Sequence, residues 1–289
     1  MRSPAALPDS APRAHRRPAT GHPRRRPAVT ALLNEIDRIE IGRPETDQHT
    51  VEADLTHQQR DLTQDSWLAL DAGRPVAYGL LWDESGGERI DIDHYVLPDH
   101  RRTGLRMLIA METRAPARAR ANGAERAVVH LHLNTRPTTD TALLAERGWS
   151  VVLTHHVLRR ALDPAGDLPP EAPAGVRLRA CATEADGVRV HELYQRSFAQ
   201  HFDFQPRPYL LWLDDTDAAG LDWSLVWIAE TDGLGGFLLR HAFARFAARG
   251  RDTVGLGVDT AHATGAPRLH GRNGMTVHFA VDTWEAVIA

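Results

Sequence analysis

The sequence predicts an α/β protein made of two mixed-sheet units in tandem, and three features predict it. From Ile90 to Val96 apolar and polar residues alternate with the period of a half-buried strand, and a basic, glycine-bearing turn and a helical pattern follow. Strand-like and helix-like patterns then alternate to residue 161 and do so again, in the same outline, from residue 176 onward. Between them residues 162–175, LDPAGDLPPEAPAG, hold many prolines and no periodicity, so they read as the linker. A chain of 289 residues is long enough for two modest cores.

Residues 1–28 are Pro, Ala and Arg with almost no large apolar side chains, and a disordered tail is expected there. It has no apolar stretch of a secretory signal. Its Arg16, Arg17, Arg24, Arg25 and Arg26 attract polyanions without specificity, since no aromatic residue is interleaved to stack on bases. No specific nucleic-acid partner is expected.

The first unit spans residues 29–161. Apolar residues at 29, 32, 33, 36 and 39 mark one face of a helix over 29–41, and Val51 and Leu55 mark a second over 50–62. Residues 66–70 and 75–82 are β-prone around the turn Asp71-Ala72-Gly73-Arg74, a hairpin. A third strand over 89–97 stops where Pro98 removes a backbone donor. Leu105, Leu108, Ile109 and Met111 open a helix over 104–121, stopped by Asn122-Gly123. A strand over 126–133, a helix over 139–147 ended by Gly148, and one bent or two short strands over 149–161 complete the unit.

The second unit, residues 176–289, reads as a strand (176–179), helices (184–202 and 209–213), a strand (223–230) and a helix (237–248). A strand (253–258), a helix (264–272) and a final strand (275–288) follow.

Apolar content of 42%, charged content of 25% and a net charge of -4 are those of a soluble globular protein, and no apolar run nears the length of a membrane span. No membrane partner is expected. Lys is absent, so every basic side chain besides His is Arg. The lone Cys181 excludes an internal disulfide and fits a reducing cytoplasm. His130 and His132 share one face of a strand, but a zinc site needs three or four ligands, and His155 and His156 follow no recognisable spacing. No metal is expected.

The turn after the third strand carries the chemistry. The unpaired N–H groups of a helix start, the positive end of the helix dipole and the side chains of Arg101 and Arg102 together favour a phosphate or pyrophosphate. Gly104 is expected to supply backbone angles closed to other residues.

The stretch V-L-P-D-H-R-R-T-G-L-R resembles the acetyl-CoA pyrophosphate loop of the GNAT superfamily of N-acetyltransferases, a strand ending V-x-P followed by [RQ]-x-x-G-x-[GA]. Arg101 and Gly104 match. Arg106 stands where the family has Gly or Ala, and either fills the site or adds a charged donor to phosphate. The order of elements over 29–161 is that of the GNAT fold without its first strand. The resemblance implies acetyl-CoA as co-substrate, held by Val96, Arg101, Arg102, Thr103, Gly104, Leu105 and Arg106. Its cleft would lie between two splayed strands and be lined by Tyr95, Val96 and residues 127–132.

The second unit holds V-D-T-A-H-A-T-G-A-P-R-L-H-G-R-N-G-M, which resembles a later motif of the same family, with His262 for the usual Asn and His270 for the usual Tyr. Between residue 227 and Gly236 the family's central strands and basic loop are missing, and Glu230 falls where the Arg or Gln belongs, the wrong sign beside a pyrophosphate. The fold expected from the resemblance is therefore two GNAT-like mixed-sheet α/β domains in tandem, the second lacking central strands. Strand, crossover helix and strand in one sheet favour parallel neighbours. Residues 223–230 are thus expected to pair beside 253–258, burying Leu225 and Trp227.

The chemistry implied is direct attack of a neutral amine on the thioester, which needs a base, a backbone N–H for the developing oxyanion and a proton for the leaving thiolate. Asp91 and Asp93 lie on the strand where the family often has its base, and Asp93 is nearer the loop. The family's acid falls at Leu144 in the first unit, which cannot donate; Tyr95 is the substitute there, and His270 holds the equivalent place in the second. The acceptor expected is a small amine or an amino-acid-like molecule. The alternative is a non-catalytic remnant that binds CoA or a partner. Neither the acceptor nor the oligomeric state is written in the sequence.

Overall fold

The computed structural model describes residues 26–56, 61–83, 86–218, 221–229, 234–260 and 265–289. Most of the N-terminal tail, Glu230 with its charge argument, Gly233 and His262 lie outside the described residues.

Helix α1 (Arg26–Glu40) buries Val29, Leu32, Leu33 and Ile36, the stripe its spacing dictates. Val51 and Leu55 of α2 (Gln48–Thr56) join that stripe. A short α3 (Leu62–Asp65), capped by the Asp61 carboxylate on the Thr63 N–H, leads into β1 (Ser66–Asp71). Ala72 (φ 47°) and Gly73 (φ 87°) take the left-handed region that a tight hairpin demands, and β2 (Arg74–Trp82) returns antiparallel to β1.

Strand β3 (Arg89–Val96) pairs antiparallel with β2 and sorts its side chains by parity. Ile90, Ile92 and Val96 pack with α4 (Arg101–Ala121), chiefly through Met107, Leu108, Met111, Ala115 and Ala119. The other face of β2 and β3, with Tyr78, Leu80 and Tyr95, meets α1 and α2. Each fully buried aliphatic side chain in these layers contributes about 1.5–3 kcal/mol. After α4 come β4 (Ala127–Asn134), α5 (Thr141–Glu146) and β5 (Ser150–Ala161), the last a single strand bent by irregularities at Val151/Leu153 and Val157/Leu158.

The second half supplies β6 (Leu178–Ala180), α6 (Glu184–Phe198), α7 (Tyr209–Ala218), β7 (Trp227–Ala229), α8 (Gly235–Ala248), β8 (Thr253–Asp259), α9 (Ala266–Arg272) and β9 (Thr276–Ile288). Seven strands form one mixed sheet in the order β1-β2-β3-β4-β9-β5-β8. β3 and β4 pair in parallel across the α4 crossover, and the other neighbours in this sheet are antiparallel. The halves interleave. Each contributes a strand-helix-strand unit, β4-α5-β5 and β8-α9-β9, whose last strand pairs with the first strand of the other unit.

This interleaving overturns one expectation. Residues 223–230 do not pair beside 253–258. β7 pairs antiparallel with β6 in a separate two-stranded sheet, while β8 is paired along its length with β5 of the first half. Two physical causes are visible. β7 has only three residues and is paired with β6, so it does not extend to the outer edge of β8, the last strand of the sheet. The segment also begins as a 3-10 turn over Trp223–Leu225, because the Asp222 carboxylate accepts from the Ser224 N–H and hydroxyl, a local bond that competes with strand. Leu225 and Trp227 are half-buried, not buried.

Candidate active site

β3 and β4 run hydrogen-bonded from Arg89↔Val128 to Ile92↔Leu131 and then part. The loop between β4 and α5 closes against β3 there. Thr139 donates its hydroxyl to the His94 carbonyl (3.3 Å) and its Oγ1 lies 3.1 Å from His94 Nδ1. His94 Nε2 lies 2.9 Å from the Gly104 carbonyl, an acceptor, so Nε2 carries the proton and donates. Burial holds the His94 imidazole below its ordinary range, which favours the neutral ring. The same loop is tied to the end of α1: the Glu40 carboxylate accepts from Asn134 Nδ2 (2.6 Å), the Thr138 N–H (2.6 Å) and the Thr138 hydroxyl (2.9 Å).

A pocket opens beside this contact, lined by His94, Val96, Arg101, Gly104, Leu105, Leu108, Thr139, Asp140 and Leu143. The first turn of α4, with Arg101, Gly104 and Leu105, forms part of its wall. Leu97–His100 make a 3-10 turn, with the His100 N–H donating to the Leu97 carbonyl, and α4 begins at Arg101. A helix start of this length presents unpaired N–H groups and positive potential to an anion. Arg101, 3.5 Å from Asp140, and Arg102 are exposed, Thr103 and Leu105 half-buried, and Arg106 is exposed and not among the pocket-lining residues.

The reason for Gly104 differs from the sequence expectation. It is already helical, and its φ is not in the left-handed region. A Cβ on it would lie 2.9 Å from Val96 Cγ2 and 3.1 Å from Cγ1, so glycine lets α4 settle onto β3.

Asp93 and Tyr95 stand on the opposite face of the sheet from Ile92 and Val96, both half-buried, with Tyr95 stacked on Tyr78 at 6.4 Å between centroids. Leu144, at the place of the family's acid, is fully buried in the α4 core. His270 lies on α9 of the second half, its ring lowered in pKa by burial, and does not join the residues around the parted strands. The structure therefore gathers Val96, Arg101, Gly104 and Leu105 at one pocket and sets Asp93 and Tyr95 on the other side of β3.

That other side holds a polar cluster spanning three strands. Asp91 is buried, bonded to Arg89 (2.6 Å), with His132 Nε2 3.7 Å away. Burial pushes the Asp91 carboxyl up, yet the His132 and Arg89 contacts outweigh it and hold it below its ordinary value. His132 Nδ1 lies 3.1 Å from the Thr283 hydroxyl, and His130 Nε2 lies 2.8 Å from Glu285, both partners being on β9. Burial first, then the Arg89 charge, hold His130 below its ordinary range. From the segment before α7, Asp203 pairs with Arg89 and Phe202 stacks on His130 at 5.6 Å. Among the described residues no group of three or more His, Cys, Asp or Glu is arranged to hold a metal ion, and no helix is long and apolar enough to cross a membrane.

Residue-by-residue reading missed His94, Thr139 and Asp140 as pocket residues, and Thr283 and Glu285 as neighbours of the β4 histidines. For His94 a signal existed, since it alternates with Ile90, Ile92 and Val96 on the α4 face. For Thr283 and Glu285 none did, because strand alternation does not name the neighbouring strand.

No protein-family model matches the sequence, and no curated protein matches it. Among solved structures, a GCN5-related N-acetyltransferase from Sphaerobacter thermophilus is similar with a TM-score of 0.74 at 22% identity, over 92% of this chain and 93% of that one. A tandem GNAT protein from the clavulanic acid biosynthesis pathway is similar with a TM-score of 0.64 at 16% identity, over 93% of this chain and 96% of that one. At these identities the likeness is one of fold.

Proposed function

From the tandem fold that this chain shares with the GCN5-related N-acetyltransferases, we propose that it transfers an acetyl group from acetyl-CoA to a small amine or amino-acid-like acceptor. One observation carries the reading: β3 and β4 part beside a pocket lined in part by the first turn of α4. Residues 29–161 form the unit that takes the donor, and residues 176–289, joined by 162–175, complete the shared sheet. Arg101, Arg102, Thr103 and the first N–H groups of α4 hold the pyrophosphate, and Arg106 adds positive charge. Val96, Gly104 and Leu105 line the path toward the parted strands.

Acetyl-CoA supplies the activated acyl group; the chain's own task is to position the amine, accept its proton and steady the developing oxyanion. The acceptor arrives on the face of Asp93 and Tyr95, where Asp93 attracts its ammonium and Tyr95 offers a hydroxyl. The lone Cys181 suits work in the cytoplasm. Release of CoA thiol from acetyl-CoA, followed with a polyamine, an arylalkylamine, an aminoglycoside and free amino acids, tests the reading. Release that depends on one of these amines supports it. Binding of acetyl-CoA without release from any of them supports a second reading, a non-catalytic CoA-binding remnant, which is favoured by the burial of Leu144 where an acid is needed. Neither binding nor release refutes both.

A further inference from the structure

The second half reaches onto the acceptor face with one short run, His201-Phe202-Asp203-Phe204, just after α6. The His201 N–H donates to the Phe198 carbonyl (2.8 Å) and the Phe204 N–H to the His201 carbonyl (3.2 Å), while Asp203 takes a φ of 48°. The chain is thus held in a tight bend, with Asp, a residue that tolerates the left-handed region, at its sharpest point. The sheet of the first half fixes the bend from below. Asp203 pairs with Arg89 of β3, and the Phe202 ring lies on His130 of β4, 5.6 Å between centroids and 19° from parallel.

His130 stands opposite Asp91 in the parallel pair, one step before pairing ends at Ile92↔Leu131. Phe202 therefore lies beside the vertex from which β3 and β4 diverge, on the face of Asp93 and Tyr95, and 40% of it is open to solvent. An aromatic ring seated on one neighbour and open elsewhere is a platform for a second ring. The histidine beneath it is 1% exposed and bonded to Glu285, and its Nδ1, 3.7 Å from Asp203, has no hydrogen-bond partner. A buried polar atom left in this way marks a place shaped by more than stability. Around the platform three carboxylates, Asp91, Asp203 and Glu285, meet one guanidinium, Arg89. Their excess of negative charge favours a cation.

We propose that Phe202 selects the acceptor and that the acceptor is a primary arylalkylamine, its ring stacked on Phe202 and its ammonium drawn to Asp93 at the vertex. The inference rests on the acyl-transfer reading above and narrows its acceptor. The spacing agrees. From Asp91, level with His130, to Asp93 is two residues of strand, about 6.6 Å, a span bridged by an aryl ring that carries its amine on a chain of two or three carbons. A free amino acid would bring a carboxylate into the negative excess, and an aminoglycoside or a polyamine has the charge without the ring. The arrangement also gives the second half a task independent of any cofactor loop of its own: it supplies a wall of the acceptor site of the first half.

The test uses the full chain with acetyl-CoA and, as acceptors, 2-phenylethylamine, ethylamine, phenylalanine, spermidine and kanamycin. The kcat/KM for thiol release should be at least about tenfold higher with 2-phenylethylamine than with any of the others. Phe202→Ala should lower the preference for 2-phenylethylamine over ethylamine about tenfold, chiefly through KM, while calorimetric affinity for acetyl-CoA stays within about twofold of wild type. Phe202→Trp should keep the preference, since another aromatic face serves as well. Asp203→Asn removes one charge of the excess and should narrow the preference for 2-phenylethylamine over phenylalanine, which carries the same ring with a carboxylate. Faster release with any of the other four acceptors, or a preference for 2-phenylethylamine unchanged in Phe202→Ala, overturns this inference and leaves the acyl-transfer reading standing. No release with any of these amines overturns both.

Discussion

Replacing Gly104 by alanine sets two effects of known sign against each other. In a helix interior alanine is favoured over glycine by about 1 kcal/mol. The new methyl, however, would lie 2.9, 3.1 and 3.2 Å from three carbons of the Val96 side chain. Valine is stiff at χ1 and cannot swing aside cheaply, and Val96 is buried in β3 beneath α4. Relief therefore requires α4 to lift from the sheet, an overpacking cost of about 1–3 kcal/mol. The net expectation is a loss of about 1 kcal/mol, a fall in Tm of about 2–4 °C for a chain of this size. Lifting α4 also moves its N-terminus relative to Val96 and His94, which line the pocket with Gly104, so acetyl-CoA affinity should fall as well. Thermal unfolding of Gly104→Ala alone and in a Val96→Ala background checks the argument. Without the Val96 methyls the same substitution should be neutral or stabilising. Gly104→Ala more stable than wild type with Val96 in place would refute the close-contact reasoning.

Three further outcomes are expected. His94 and His130 are held below their ordinary range, so the unfolded chain binds more protons than the folded one as pH falls through about 6.5. Their contribution is complete above that pH and is lost below it, and urea midpoints should drop between pH 7.5 and 5.5; equal midpoints contradict this. Glu40→Gln removes a carboxylate that accepts from Asn134 and twice from Thr138, and charge-assisted bonds of this kind are worth about 1.5–3 kcal/mol each. Hydrogen exchange at Thr138 should speed up, with the α1 core unaffected. Truncation before residue 276 strips β9 from between β4 and β5 and leaves two long edges unpaired; the shortened chain should aggregate or lose cooperative unfolding, whereas a single sharp transition like that of wild type would show that the halves do not depend on the shared sheet.

The parts of the fold legible in the sequence are those fixed by local periodicity and turn chemistry. The α1 stripe, the hairpin at Ala72-Gly73 and the parity of β3 follow from spacing alone, and parity already separates Asp93 and Tyr95 from His94 and Val96. Gly104 was legible as a special position, but its reason was not, because the contact that forbids a side chain comes from Val96 across the turn. The insertion of β9 between β4 and β5, and with it Thr283 beside His132, was illegible since period-2 patterning assigns faces and not neighbours. The misplacement of residues 223–230 has the same origin: the βαβ rule assumed that the strand before α8 joins the sheet of β8, whereas the three-residue β7 pairs with β6 in a separate sheet.

The central claim is that one donor site exists per chain, at the start of α4. Calorimetric titration of wild type and Arg101→Glu with acetyl-CoA tests it most directly. Wild type should bind one equivalent per chain, and Arg101→Glu, which places a carboxylate at the pyrophosphate, should weaken binding by more than about tenfold. No binding, two equivalents per chain, or an unchanged affinity in Arg101→Glu would contradict it.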